Sequence, residues 1–306
     1  MVAANSHHER RERLRSPKGG RHRGEGGSQR FSSGFSALAT LALEGSKVSA
    51  SVIDLSSGKV LVSIDDTVVL PIASLGTVLL LVEVSARITA DTSNALSILE
   101  KPGGPGAVAD AEMSGIWNQL HVPALPVSDL AALVGATNDS VATNVLLGQI
   151  GLDSVRARTD SLGLSRTALI DKVRTTRGPD DAPQVSVGAT AELTRLIASL
   201  ARGEVVDAIT SRRVLGWLEK NADLSLVASA FGLTPLSRIG DDQGVQLVNK
   251  TGSDRGVRAE VGVVRGTRAA VCYALTVNFT DSSLAARLRV LEAMRVFGHD
   301  VLDYVH

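Results

Sequence analysis

The chain has 306 residues, with 32 basic and 32 acidic side chains, 44% hydrophobic residues and a single cysteine. One cysteine, Cys272, excludes an intramolecular disulfide framework and a cysteine-based zinc cluster. No apolar run reaches the ~20 residues that cross a bilayer, and the 3% aromatic content leaves few stacking platforms for bases. The zero net charge hides an asymmetry: residues 1–30 hold eight basic and three acidic side chains, net +5, and the remainder is net −5. Residues 1–31 are Gly- and Ser-rich and read as a disordered basic tail, because they cannot bury enough apolar surface to offset ordering entropy. They lack the apolar core of a secretory signal, so a cytoplasmic location is expected.

Elements follow from Phe31 onward. Phe35–Glu44 has helical apolar spacing and ends at Gly45. Lys47–Leu55 and Lys59–Ile64, split by Ser56-Ser-Gly58, predict a β-hairpin. Leu75–Ile88 is apolar nearly all round and predicts a buried helix. Gly103-Gly-Pro-Gly106 reads as a loop, since no lysine and helix follow it as in a phosphate cradle. Helices are expected at Val127–Val134, Val141–Ile150, Leu152–Leu162, Ala189–Ala201 and Ser211–Glu219. Strands return at Val245–Asn249, Val257–Val264 and Ala269–Val277, with turns at Gly252–Gly256 and Arg265–Thr267, and Ser282–Tyr304 closes as an amphipathic helix. The order predicts one antiparallel sheet assembled from both ends of the chain, with an all-α lobe of about residues 91–240 inserted between segments 32–90 and 241–306.

Three short segments carry candidate chemistry. Ser74, in Pro71-Ile-Ala-Ser-Leu-Gly-Thr77, stands at the head of the buried helix. It is either an N-cap or a nucleophile at a positive helix end. Asn138-Asp-Ser140 breaks two helices, where a polar triplet usually caps the second. Lys250-Thr-Gly252 ends an apolar strand, where a lysine is usually solvated.

Taken in order, these segments resemble the penicillin-recognising serine enzymes, most closely the class A β-lactamases. That family has a Ser-x-x-Lys motif heading a central helix, a Ser-Asp-Asn loop in the α lobe and a Lys-Thr-Gly strand facing the serine. Here Ala73-Ser-Leu-Gly-Thr77, Asn138-Asp-Ser-Val-Ala-Thr-Asn144 and Val248-Asn-Lys-Thr-Gly252 are similar, and the likeness extends over roughly residues 32–303. The resemblance implies an α/β (α+β) fold of β-lactamase/transpeptidase type, an antiparallel sheet flanked by helices. It implies Ser74 as nucleophile, with Lys250 and Ser140 in proton transfer. Asn138, Thr251, Gly252, Ser253 and Arg258 would hold a substrate carboxylate. It implies no metal and no cofactor, a small-molecule partner bearing a carboxylate, a monomer, and neither nucleic acid nor a membrane span.

The departures bear on mechanism. Thr77 stands in the place of the lysine, and a hydroxyl cannot act as base near neutral pH. Asn138 and Ser140 exchange the serine and asparagine of the loop motif, leaving Asp139 in place. The glutamate that activates water in class A enzymes is missing, since Asp171, Asp180 and Asp181 are the acids between Leu164 and Glu192. Three readings stay open: weak acyl-serine hydrolysis of a β-lactam or related amide or ester, a ligand-binding relative without turnover, and a D-alanyl-peptidase or esterase-type acyltransferase. No His/Glu pair has metal-ligand spacing, and none of the six histidines falls near Ser74 in the inferred layout. Trp117, Trp217 and Cys272 read as core.

Overall fold

The computed structural model describes residues 30–103, 113–235 and 244–306. Residues 1–29 of the expected basic tail and the Gly104–Gly106 part of the glycine-rich loop lie outside them; the last two residues of that tail belong to the fold instead, since Phe31 is buried against Phe297 and Tyr304 and Arg30 lies over the Tyr304 ring. Helix α1 (Ser32–Leu43) leads into β1 (Lys47–Asp54) and β2 (Val60–Ile64), then a two-residue β3 (Leu70–Pro71). A 3₁₀ turn (Ala73–Gly76) runs into α2 (Thr77–Thr89). The middle holds β4 (Ile98–Glu100), α3 (Ile116–Gln119), β5 (Ala124–Pro126), α4 (Val127–Thr137), α5 (Ser140–Ile150), α6 (Leu152–Ser161), β6 (Ala168–Leu169), β7 (Ser186–Gly188), α7 (Thr190–Arg202) and α8 (Ala208–Leu218). A second 3₁₀ turn (Val227–Phe231) precedes β8 (Gln246–Asp254), β9 (Val257–Arg265), β10 (Ala270–Asn278) and α9 (Leu284–Val305).

The main sheet is antiparallel, in the order β2-β1-β10-β9-β8, so both ends of the chain build it. The β1–β10 pairing sets Lys47 opposite Asn278 and Asp54 opposite Val271. β1 is buried from Val48 to Asp54, because helices cover both sheet faces. One face meets α1, α9 and the second 3₁₀ turn through Val52, Tyr273, Leu275, Phe231 and Phe297. The other meets α7, whose Leu193, Leu196, Ile197 and Leu200 repeat at i, i+3, i+4 and i+7. α2 is enclosed by α4, α5, α6 and α8, which explains why its apolar residues run all round.

Three sequence expectations need correction. Lys250-Thr-Gly252 lies inside β8, which runs on to Asp254; the turn is confined to Arg255-Gly256, since polar Ser253 and Asp254 still pair with β9. α8 begins a turn earlier than Ser211, because Asp207 caps it at the amide of Thr210. The inserted lobe of about residues 91–240 is not all-α: it also carries the short strands β4 to β7, each with too few residues to show an alternation. Trp117 and Trp217 are buried, and burial pushes the Cys272 thiol up to about 12. No described helix is long and apolar enough to cross a membrane.

A polar cluster is buried between the sheet and α9. Glu260 receives the Tyr273 hydroxyl at 2.6 Å, the Asn249 amide at 2.8 Å and the main-chain N–H of Ala228 at 3.3 Å. Gly262 makes this possible: a Cβ there would lie 2.7 Å from the Tyr273 oxygen. Burial pushes the Glu260 carboxyl up to about 7, against those three donors. A raised acid stabilises the fold fully below its unfolded value, and that contribution fades as pH rises through the folded one. The melting temperature of the wild-type protein is therefore expected to fall from about pH 4.5 to about pH 7. Glu260→Gln should flatten that slope in thermal melts across the range, and an equal slope in both proteins would refute the assignment.

Candidate active site

The turn that carries Ser74 is held from three sides. β3 pairs with β7, placing Leu70 opposite Gly188 and Pro71 opposite Val187. Asn278 and Thr276 on β10 donate to the Pro71 carbonyl at 3.0 and 3.3 Å. The Ser186 hydroxyl donates to the Ala73 carbonyl. Ala73 is buried with φ +48°, a left-handed conformation that a residue with a Cβ adopts at a cost of about 1–3 kcal/mol. The surrounding bonds over-determine that strain, and the next residue is the half-buried Ser74.

Ser74 does not cap α2. The helix starts at Thr77 with Gly76 as its cap and no side-chain bond, because the intervening residues form the 3₁₀ turn. The Ser74 hydroxyl has no hydrogen-bond partner among the described residues. Thr77 is buried and donates its hydroxyl to the Ser74 carbonyl at 2.7 Å. It serves the turn and leaves the serine side chain alone.

β8 packs directly on this turn. A Cβ on Gly252 would lie 2.4 Å from the Ile72 carbonyl oxygen and 3.1 Å from the Ser74 nitrogen, so only glycine lets the two backbones meet. Lys250 is two residues back, on the same face of the strand. The strand and turn are therefore packed together, although no hydrogen bond joins Lys250 to Ser74. Lys250 is fully buried, and burial lowers its ammonium to about 7 while Asp223 pulls weakly the other way.

Asn138 terminates α4 in a left-handed conformation, φ 54°, which turns its side chain to β8. Its Oδ1 accepts from the Lys250 ammonium and its Nδ2 donates to the Thr251 hydroxyl at 3.1 Å. One carboxamide thus spans two groups expected to bind a carboxylate. Asp139 caps α5 through the Ala142 amide at 2.9 Å and also takes the Trp117 amide at 2.8 Å. Ser140 is buried, and its hydroxyl pairs with that of Ser114 at 2.8 Å. Ser114 carried no sequence signal, since its link to Ser140 arises only from the folded loop.

Two expected site residues lie apart from this cluster. Ser253 is exposed beyond the contact with the turn. The Arg258 guanidinium bonds the carbonyls of Asp254 and Val257 at 2.8 and 2.7 Å and lies over Phe279, towards α9. The loop after α6 approaches α5, where Asn144 binds both the amide and the carbonyl of Val173, at 2.9 and 2.8 Å. Asp171 is committed to Arg174 and Arg177 at 2.7 and 2.8 Å, which hold its carboxyl below the usual range against the effect of burial. Asp181 pairs with Arg174 at 2.9 Å.

The contact at Gly252 is testable. Gly252→Ala should lower stability by about 1–3 kcal/mol, the cost of overpacking. Gly216→Ala, whose Cβ would meet nothing within 4 Å, should be neutral or stabilising. Urea midpoints that move equally would show that β8 does not press on the turn.

The profile of the beta-lactamase enzyme family matches residues 32–305. No curated protein sequence matches. Among solved structures, a beta-lactamase from Sphaerobacter thermophilus is similar at 19% identity and TM-score 0.74, over 90% of this chain and 97% of that one. A point mutant of PBP-A, in an acyl-enzyme complex with penicillin-G, is similar at 17% identity and TM-score 0.71, over 89% and 96%. A beta lactamase from Xanthomonas campestris pv. campestris gives 17% identity and TM-score 0.71, over 89% and 97%. With nearly the whole described fold matched by that profile, the chain belongs to the beta-lactamase enzyme family.

Proposed function

We propose that the protein is a weak acyl-serine enzyme, acting on a β-lactam or a related activated amide or ester. The observation that carries this reading is the buried Lys250, on the strand packed against Ser74, with its ammonium brought down to about 7. A neutral amine at that pH can accept a proton, the role that Thr77 cannot fill. In the acylation step the Ser74 oxygen bonds the substrate carbonyl carbon, and its proton passes to Lys250. The tetrahedral oxyanion is met by the Ser74 amide and an amide of the strand after Gly252. Collapse breaks the carbon–nitrogen or carbon–oxygen bond, and the leaving group takes the proton from Lys250. Hydrolysis then needs water to attack the ester. Asp171 and Asp181 are held by arginines, and Asp180 is exposed at the surface of the loop, so none is offered as the base that activates that water. The acyl-enzyme should form slowly and decay slowly.

A second reading is favoured by Asn138: its amide spans Lys250 and Thr251, and a ligand carboxylate must displace it. On that reading the cleft binds without turnover.

Intact mass after incubation with a fluorescent penicillin separates the two. Acyl chemistry predicts one adduct, absent in Ser74→Ala, forming at a rate that rises with pH through about 7. Lys250→Met should slow labelling by about 10²–10⁴-fold. A depressed lysine destabilises the fold increasingly as pH falls from its unfolded value to its folded one. The same variant should therefore melt at a higher temperature than wild type at about pH 6, below the folded value of about 7. Absence of any adduct at about pH 9, where the amine is neutral, removes the enzyme reading. For the binding reading, Asn138→Ser should tighten binding of the penicillin, and unchanged affinity would refute the Asn138 obstruction.

A further inference from the structure

Asn138 reaches Lys250 from a loop that is itself held by a segment far from both in the chain. Ser114, Gly115 and the start of α3 lie against Asn138-Asp139-Ser140. The Ser114 carbonyl accepts the Ser140 amide at 2.9 Å, and their hydroxyls pair at 2.8 Å. The Trp117 amide donates to the buried Asp139 carboxylate at 2.8 Å. A Cβ on Gly115, where φ is +141°, would lie 2.5 Å from the Asp139 carboxyl carbon, so a side chain there would push the segment off the loop.

The segment is anchored in turn to the rest of the lobe. Trp117 is buried, and the Lys101 ammonium at the end of β4 lies 5.7 Å from the centre of its ring. Lys101 also donates to the Leu120 carbonyl at 2.6 Å, and the Trp117 indole donates to the Val122 carbonyl at 3.1 Å. The Asn118 amide ties back to the Met113 carbonyl at 3.1 Å. α4 ends at Asn138 and α5 starts at Ser140, with Asp139 as its cap. The direction of the Asn138 side chain is therefore set by how Asp139 and Ser140 are fixed, and this brace fixes both.

We propose that Ser114-Gly115-Ile116-Trp117 is a positioning element, which holds the Asn138 carboxamide on Lys250 and thereby governs the proton of that lysine. Among the described residues, none of the four bonds Ser74 or Lys250, so the effect passes through the loop. The inference rests on Lys250 and Asn138 belonging to the candidate site, and it holds for either reading of the cleft. A carbonyl oxygen that accepts from an ammonium favours the charged form over the neutral amine. Loosening Asn138 removes that acceptor, so the lysine loses its proton at a lower pH. Asp223, after α8, favours the charged form independently, and Glu260 on β9 faces Tyr273 on the other side of the sheet.

Carbon-13 NMR of ε-labelled lysine tests this without any turnover. The Lys250 signal, identified by its loss in Lys250→Met, should titrate with a midpoint of about 7 in the wild-type protein. Asn138→Ala should lower the midpoint by about one pH unit, roughly a tenfold change in the ratio of neutral to charged lysine. Ser114→Ala should move it the same way by a smaller amount, and Gly115→Ala by a larger one. Ser114→Thr, which keeps the hydroxyl, should titrate like wild type. Adding Ser114→Ala to Asn138→Ala should change nothing further, because the brace acts through that carboxamide. Ser114 is exposed, so its variants should fold even where Gly115→Ala does not. A wild-type midpoint in Ser114→Ala, a wild-type midpoint in Asn138→Ala, or an equal Ser114→Ala shift in the absence of Asn138 would overturn the inference. A wild-type protein that forms no penicillin adduct ends the enzyme reading and leaves these titrations as they are.

Discussion

Everything at the candidate site depends on backbone touching backbone where β8 meets the Ser74 turn. Gly252 presents only hydrogen where a Cβ would lie 2.4 Å from the Ile72 carbonyl oxygen and 3.1 Å from the Ser74 nitrogen. That contact sets the depth of β8 and hence the position of Lys250 relative to the serine. The same turn is pulled into a left-handed bend at Ala73 by Ser186, Thr276 and Asn278, three side chains from two separate strands. Strain of this size persists only where the neighbours leave no alternative, and the neighbours here are the two halves of the fold.

The electrostatics follow from that burial. Lys250 and Glu260 both lose water and both move towards neutrality, yet they do not answer each other. Lys250 and Gly252 project to the turn, whereas Glu260 reaches the second 3₁₀ turn and Tyr273. Asp223 biases both from a distance. Lys250 is left with Asn138 as an uncharged partner, which accepts from an ammonium without ionising. The loop after α6 is neutralised within itself, Asp171 and Asp181 against Arg174 and Arg177. Charges that in other arrangements would face a ligand are here spent on holding loops.

The long elements were legible because each carries a complete period. α7 repeats its apolar residues at helical spacing, and β9 and β10 are rich in Val and Ala; β8 was legible only as far as Asn249, because Asn249, Lys250 and Thr251 are polar although buried. The three motif segments could be placed on the right kinds of element, and the missing lysine, serine and glutamate could be read directly. Some side-chain assignments were less secure. Ser74 could also be read as a cap, yet the helix begins three residues later. Ser253 and Arg258 were expected with Lys250 and Thr251, but Ser253 is exposed and Arg258 lies over Phe279.

The sequence alone determined the helices and main strands and the sheet built from both chain ends. Periodicity and residue chemistry are local properties, written into a few neighbouring positions. Only the tertiary structure decided that Asn138 bridges Lys250 and Thr251, that Thr77 serves the backbone, and that Ser114 and Trp117 hold the loop of Asp139 and Ser140. Each depends on residues distant in the chain meeting at close range, and on the water excluded when they do.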